Sequence, residues 1–437
     1  MGVLRAPLER LRRRLGAGTT SAVTISLLSI VSKGFGLARE LLLAWAFGTG
    51  AVVDAFRVGQ SLTTYFSHLF FGEAMTGTVV PSLARAEPAA AARIKAGVTA
   101  AALVVTLPIA AAFVVSPGLV VGLFTPGLAP DPHRWAVAFV RVFGVAIPLY
   151  CLTSIAVMVR QAGSDFGAFA VRPVGQNVFL LAGILAAYLF DAPVILPFAF
   201  LAYYLVLLLV VDRGGLFATL LEGRHEIAAG LGQVVARWAP LAAGLLLLRS
   251  NTIVERYFGS LLPTGSIAAL DYARTVTELP LLLAVPTGAV LLTAMSREHD
   301  RGLTRGRTRK LGLVVGLFVG WSVLVVALAG PITTVVFRRG AFTMDSVAAT
   351  SASVTGLGLG AWAVGLGYVT TQILMARGHR GRLIVAAGLS VAANIALAAL
   401  LVPRLGILGL AMASSGAAIA YVAFSLPPIA RTIARRD

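Results

Sequence analysis

The sequence predicts an all-α polytopic membrane protein, with about 12 transmembrane helices in two pseudo-symmetric six-helix lobes. Three observations carry this. Apolar runs of about twenty residues, the length that spans a ~30 Å hydrocarbon core, recur from end to end of a 437-residue chain. That chain is 58% hydrophobic and 12% charged, with a mean hydropathy of +0.89. Lys and Arg collect in alternate loops, and a set of short motifs occurs once in each half. Lipid offers backbone polar groups no water partner, so runs of this length are helices; a soluble chain would have to bury them on every side. The formal net charge of +18 does not mark a nucleic-acid binder, because basic residues at the ends of apolar runs orient a membrane protein.

Turn residues and charge clusters place the spans near 20–47, 52–84, 96–124, 135–158, 169–190, 193–211, 231–258, 264–296, 311–337, 347–376, 383–402 and 405–429. The first follows MGVLRAPLERLRRRLGAG, which superficially resembles a signal peptide. No small-residue cleavage site is evident and the run continues through Lys33 and Arg39, so this span is expected to be retained, with 1–19 as a cytoplasmic N-terminal segment. Several spans exceed the minimum length, which implies tilt, kinks or extension beyond lipid. The third, fourth, seventh and eighth contain Pro108, Pro148, Pro240 and Pro286, tolerable where neighbours satisfy the freed backbone groups. The fourth also holds Cys151, the single cysteine, read as a small buried hydrophobe; one cysteine excludes an internal disulfide.

One set of alternate loops holds 24 of the 36 Lys and Arg, in stretches 5–14, 85–95, 160–172, 213–224, 297–310, 377–382 and 431–436. The other holds five: Arg134, Arg256, Arg338, Arg339 and Arg404. This excess puts the first set, and both termini, in the cytoplasm. The remainder, Lys33, Arg39, Arg57, Arg141, Arg237, Arg249 and Arg274, fall inside spans.

FGTGAVVDAFR with VVPSLAR (79–85) in the first half is matched by YFGSLLPTGSIAALDYAR with LLTAMSR (291–297) in the second. MVRQAG (158–163) leads to Asn177 as LMARG (374–378) leads to Asn394. Two lobes of the same orientation follow, related by an axis along the membrane normal: 20–211 and 231–429, with 212–230 a cytoplasmic linker and 430–437 a cytoplasmic tail. A repeat of this kind places a transport site between the lobes.

Each half carries an Asp-x-x-Arg pair early in its second span, Asp54/Arg57 and Asp271/Arg274, with Glu278 four residues on. Members three apart share a helical face, and ion pairs that hold helices together are the plain structural account. That account weakens with Lys33, Arg39, Glu40, His68, Glu73, Arg249 and Glu255, which also fall in the first two spans of one lobe or the other. Intramembrane ionisable groups face a bundle interior or a wet cavity, so one shared cavity is expected. Lys33, Arg39, Arg57, Arg249 and Arg274 are the candidate substrate-binding cations, since a guanidinium holds phosphate in a bidentate fork. Glu40, Asp54, Glu73, Asp271 and Glu278 are the candidate cavity and gate acids. This favours an anionic, phosphorylated head group over a cationic drug. His68 is read first as a hydrogen-bonded structural histidine and second as a pH-sensitive contact. Arg141 and Arg237, near span ends, are read as snorkelling to the interface.

GLGLGAWAVGLG (356–367) mimics a nucleotide-binding fingerprint but sits inside an apolar span with no strand before it, so close helix packing is the better account. His133, His225, His299 and His379 lack metal spacing. With no Walker loop, metalloprotease motif or nucleophile–base pair, the chain is expected to be no enzyme and to need no cofactor, a coupling ion being left open.

SIVSKGFGLARELLLAWAFGTGAVVDAFRVGQSL, followed by VVPSLAR, resembles the opening two spans of the MurJ/MviN lipid II flippases, within the multidrug/oligosaccharidyl-lipid/polysaccharide exporter superfamily. FRRGAF (337–342), leading through Asp345 to LMARGHR (374–380) and Asn394, resembles that family's second-lobe signature. The resemblance, over about 20–429, implies a V-shaped transporter with alternating access. It would move an undecaprenyl-pyrophosphate-linked peptidoglycan precursor across a bacterial plasma membrane. By the same resemblance, Arg39 and Arg274 match basic residues lining a cationic cavity, Lys33 stands at a further basic position, and Asp54 is the acid of the DAF motif. Where the family usually has adjacent arginines before an Ala-Glu-Gly turn, this chain has Ser67-His68 and then Gly72-Glu73. The family also typically adds two C-terminal spans, forming a lipid-tail groove, to the twelve expected here.

The leading expectation is therefore a monomeric flippase for a lipid-linked anionic glycan, in contact with membrane lipids and not with nucleic acid. A cation-coupled multidrug exporter, a flippase for another lipid-linked polysaccharide and a non-transporting scaffold docking partners through 297–310 are the alternatives.

Overall fold

The computed structural model describes residues 17–71, 73–212, 215–216, 218, 227–279, 281, 305–376 and 378–426. Among these residues the chain is helical with no strand. The first half forms α1 (Ala17–Phe47), α2 (Ala51–Phe71), α3 (Glu73–Ala84), α4 (Pro88–Val115), α5 (Pro117–Phe124), α6 (Pro130–Ala162), α7 (Gly167–Leu189) and α8 (Ile195–Asp212). The second forms α9 (Ile227–Ser260), α10 (Ser266–Thr277), α11 (Arg305–Ala327), α12 (Ala329–Phe337), α13 (Met344–Gly358), α14 (Ala361–Ala376) and α15 (Arg380–Ser425). Five helices are long and apolar enough to cross a membrane, or up to seven if each of two bent pairs is one span, among the described residues.

Several expected spans are broken. The third divides into α4 and α5 at Ser116, because a residue before proline is pushed out of the helical region and Pro117 follows. The ninth bends by 80° between α11 and α12, and the tenth by 51° between α13 and α14. At the second bend, Ser415 Oγ donates to the carbonyls of Gly356 (2.7 Å) and Leu357 (3.1 Å), while Ser322 Oγ accepts from Trp362 N–H at 2.8 Å. These side chains satisfy the backbone groups that the break frees. The expected eleventh and twelfth spans run as α15, broken only at Gly406, whose φ is +57°. Most of 278–296, the linker beyond Asp212 and the tail lie outside the described residues.

α6 packs against α2, α4 and α8, and α1 against α7; in the second half α15 packs against α9, α13 and α14. The halves meet where α9 lies along α2, α3 and α4, where α10 meets α1 and α2, and where α12 touches α1. One apolar core crosses that boundary, running from Phe56, Phe143 and Phe200 to Tyr272, Phe337 and Phe342.

Candidate functional site

Where the two halves meet, the ends of α1 and α2 close against α10 and the FRRGAF turn. Gly265 is the N-cap of α10, and the first N–H groups there have no partner within the helix. Asp54, from the first turn of α2, supplies the acceptors: Gly265 N–H donates to Oδ2 at 2.5 Å and Ala268 N–H to Oδ1 at 2.8 Å. A carboxylate of one lobe thus caps a helix of the other, where the helix dipole also favours negative charge. Gly265 has φ +96°, and a Cβ there would collide with the Thr49 carbonyl oxygen, so only glycine admits this approach. Around it, Tyr272 hydroxyl donates to Gly48 carbonyl at 3.0 Å, Ala341 N–H to Trp45 carbonyl at 2.8 Å, and the hydroxyls of Thr49 and Ser346 lie 2.7 Å apart.

Behind this seal lies a ladder of charges. Arg57 pairs with Glu40, and its Nε lies 3.5 Å from Asp271 Oδ2. Arg256 Nη2 donates to both Asp271 oxygens at 2.7 Å, and its Nε donates to Ser61 Oγ at 2.9 Å. Glu40, Asp54, Arg57 and Arg256 are all buried. Two N–H groups of this ladder, Arg57 Nε and Arg256 Nη1, have no hydrogen-bond acceptor among the described residues.

Further along the second lobe the chemistry opens into a cavity of about 440 Å³, bounded by α9, α10, α11, α13, α14 and α15 and lined by Arg249, Glu255, Arg274, Glu278 and Asn394 among others. Arg274 Nη2 donates to Glu255 Oε1 and Oε2 at 2.7 and 2.8 Å, and Nε lies 3.6 Å from Glu278 Oε1. Glu278 is the looser partner, its side chain 41% exposed against 4% for Glu255. Asn394 Nδ2 donates to Asn251 Oδ1 at 2.9 Å. In the first lobe Asn177 accepts from Arg39 Nη1 at 3.0 Å and donates to Ser32 carbonyl at 3.1 Å.

The structure distributes the five candidate cations over different surroundings. Arg274 and Arg249 line the cavity, Arg57 is buried in the seal, Arg39 is held between Asn177 and Glu40, and Lys33 is exposed. Nor do Asp54 and Arg57, or Asp271 and Arg274, pair with each other. Spacing of three puts them on one face, but the closer partners come from α1, α9 and the opposite lobe. Of the acids, Glu40, Asp54 and Asp271 belong to the seal and Glu278 to the cavity; the Glu73 side chain lies outside the described residues. Arg256, counted with the outer-loop cations because it sits near a span end, is a buried member of the seal. Its signal in the sequence is its neighbour Glu255, which places an adjacent acid and base near the end of the seventh span. Among the described residues no group of three or more His, Cys, Asp or Glu could hold a metal ion.

Fold and site define a helical membrane transporter of two lobes, with a cross-lobe seal and a charged cavity. The fold matches a solved lipid II flippase MurJ in an inward closed conformation, at 19% identity and a TM-score of 0.82, covering 93% of this chain and 87% of that one. It also matches an inward-facing multidrug resistance MATE family transporter of the MOP superfamily, at 13% identity and a TM-score of 0.73, covering 95% and 99%. A probable lipid II flippase MurJ of Rhizobium tropici is 27% identical over 416 residues, 90% of this chain and 77% of that protein. The family model for lipid II flippase MurJ matches residues 43–433. The chain belongs to the lipid II flippase MurJ family.

Proposed function

We propose that this protein is a flippase that carries a polyprenyl-pyrophosphate-linked cell-wall precursor, lipid II, from the inner to the outer leaflet of the bacterial plasma membrane by alternating access. It works as a monomer with both termini in the cytoplasm, the side to which the Lys and Arg excess assigns them, and it requires no resident cofactor. The seal around Asp54 and Gly265 then stands at the outward end, and its opening is the release step.

The observation that carries this reading is Arg274, a guanidinium inside a largely apolar cavity whose companion Glu278 is loosely held and partly exposed. An incoming phosphate offers the same bidentate geometry as a carboxylate and displaces Glu278, while Glu255 stays. Pockets of about 300–1,000 Å³ take a small-molecule ligand, so a 440 Å³ cavity accommodates the pyrophosphate and adjoining sugar while the apolar tail stays in lipid. The seal is suited to breaking: a buried donor left without an acceptor costs on the order of 1–3 kcal/mol, and the charge ladder holds two.

The test is complementation. A bacterium depleted of its own lipid II flippase and supplied with this chain should grow and move lipid II outward; Arg274→Ala should insert normally and fail to rescue. Failure of the wild-type chain to rescue would reject lipid II as the cargo, and drug efflux lost on substitution of Asp54 but not Arg274 would support a drug exporter instead.

A further inference from the structure

Arg172, counted from the sequence with the cytoplasmic-loop cations, lies within α7 and packs into the first lobe. Its guanidinium carbon stands 4.6 Å from the centre of the Tyr150 ring and 5.8 Å from that of Tyr204, and Nη2 donates to Ser154 Oγ at 3.0 Å. The Tyr203 hydroxyl donates to the Arg172 carbonyl, tethering the backbone beneath it. On the far side, Tyr150 hydroxyl is 2.9 Å from His68 Nε2, and His68 Nδ1 is 2.8 Å from Thr64 carbonyl. A carbonyl only accepts, so Nδ1 carries the proton and, in the neutral ring, Nε2 accepts from the tyrosine.

The company Arg172 keeps is neutral. Ion pairs among the described residues join Arg39, Arg57, Arg160, Arg256 and Arg274 to carboxylates, but none includes Arg172. Tyrosine faces moderate its charge through the ring quadrupole, and Ser154 and Tyr204 between them occupy only part of a guanidinium's five N–H groups. Withdrawing a charge from water without a counter-charge is costly, and here the deficit is one of negative charge. The contrast with Arg274, flanked by two acids, is direct. Nor is the cluster remote: Tyr65, one turn before His68, hydrogen-bonds at 3.2 Å to Ser250, whose chain neighbours Arg249 and Asn251 line the second-lobe cavity.

We propose that Arg172, backed by Tyr150, Tyr204 and Ser154, is a second anion-binding subsite. It takes one oxyanion of the cargo's head, phosphate or carboxylate, on the first lobe while Arg274 engages the second. The inference rests on the flippase reading above and deepens it, since a cargo held by both lobes couples their movement.

The test is binding of two probes to the full chain in detergent: polyprenyl pyrophosphate, and the same lipid carrying its carboxylate-bearing glycopeptide. Arg172→Gln should weaken binding by roughly tenfold to a hundredfold, the loss of a charged hydrogen bond, with its thermal unfolding midpoint unchanged. Arg172→Lys, which keeps the charge and loses the fork, should fall between. Equal loss for both probes identifies a phosphate; loss confined to the glycopeptide probe identifies a carboxylate. Wild-type affinity retained by Arg172→Gln for both probes would overturn the subsite and leave the flippase reading standing, whereas a wild-type chain that binds neither probe would overturn both. If the variants do not fold, phenylglyoxal modification of Arg172 in the wild-type chain gives the answer: protection by cargo supports the subsite, and an unchanged rate overturns it.

Discussion

Asp54-Ala-Phe-Arg57 and Asp271-Tyr-Ala-Arg274 occupy matching places in the two lobes and perform different work. In the first lobe both charges are spent on closure: Asp54 caps α10 and Arg57 is buried between Glu40 and Asp271. In the second, the pair is split. Asp271 turns toward the seal, and Arg274 turns into the cavity. A duplicated motif therefore preserves the placement of charge at membrane depth without preserving its use. Near-symmetric lobes become an asymmetric machine because each charge takes whichever partner the other lobe brings within reach.

Four experiments bear on that contrast. The largest effect is expected from locking the seal. Thr49→Cys with Ser346→Cys, whose native hydroxyls touch, should cross-link on oxidation and reduce flipping to background, with recovery on reduction; the buried Cys151 stays out of the reaction. Undiminished flipping by the cross-linked protein would show that this contact need not open. Next, Arg57→Ala removes the charge that joins the two lobes, leaving Glu40 to Arg39 and Asp271 to Arg256, and breaking a buried pair costs on the order of 3–5 kcal/mol; its unfolding midpoint should fall well below that of Glu278→Ala, whose side chain is 41% exposed and screened by solvent. Equal destabilisation by the two would erase the distinction between seal and cavity. Asp54→Ala, read by the same unfolding assay, should cost about 1–2 kcal/mol as a lost helix cap, and Asp54→Asn less, since an amide keeps one of the two acceptor oxygens that Gly265 and Ala268 use. The smallest effect should come from Thr49→Ala, about 0.5–1.5 kcal/mol for one hydrogen bond.

Much of this architecture is legible in the sequence, because span length, the repeated motifs and the depth of the ionisable residues are local properties. What the pattern did not reveal is partner choice. Helical spacing says which residues share a face, but Arg57 met Asp271 and Asp54 met Gly265 through the docking of lobes more than two hundred positions apart in sequence. The inward packing of Arg256 and Arg172 went unread for a common reason: charge near a span end reads as interfacial, and only the tertiary packing of α9 and α7 shows their partners. The helix breaks at Leu328 and Gly360 went unread although Gly330-Pro331 and the glycines of 356–360 stand beside them, because glycine and proline are also tolerated inside continuous spans.

The capping of α10 by Asp54 also sets a schedule for biosynthesis. Synthesis proceeds at about 5–20 residues per second, and residue 265 follows residue 54 by 211 positions, so this carboxylate resides in the bilayer for roughly 10–40 s before its acceptors' donors exist. Arg57 meets Glu40 within its own lobe almost at once, whereas Asp54 depends on a helix not yet made. A nascent chain halted before residue 265 should accordingly be extracted and degraded faster than one halted beyond α10, a difference measurable by pulse labelling and abolished by Asp54→Leu.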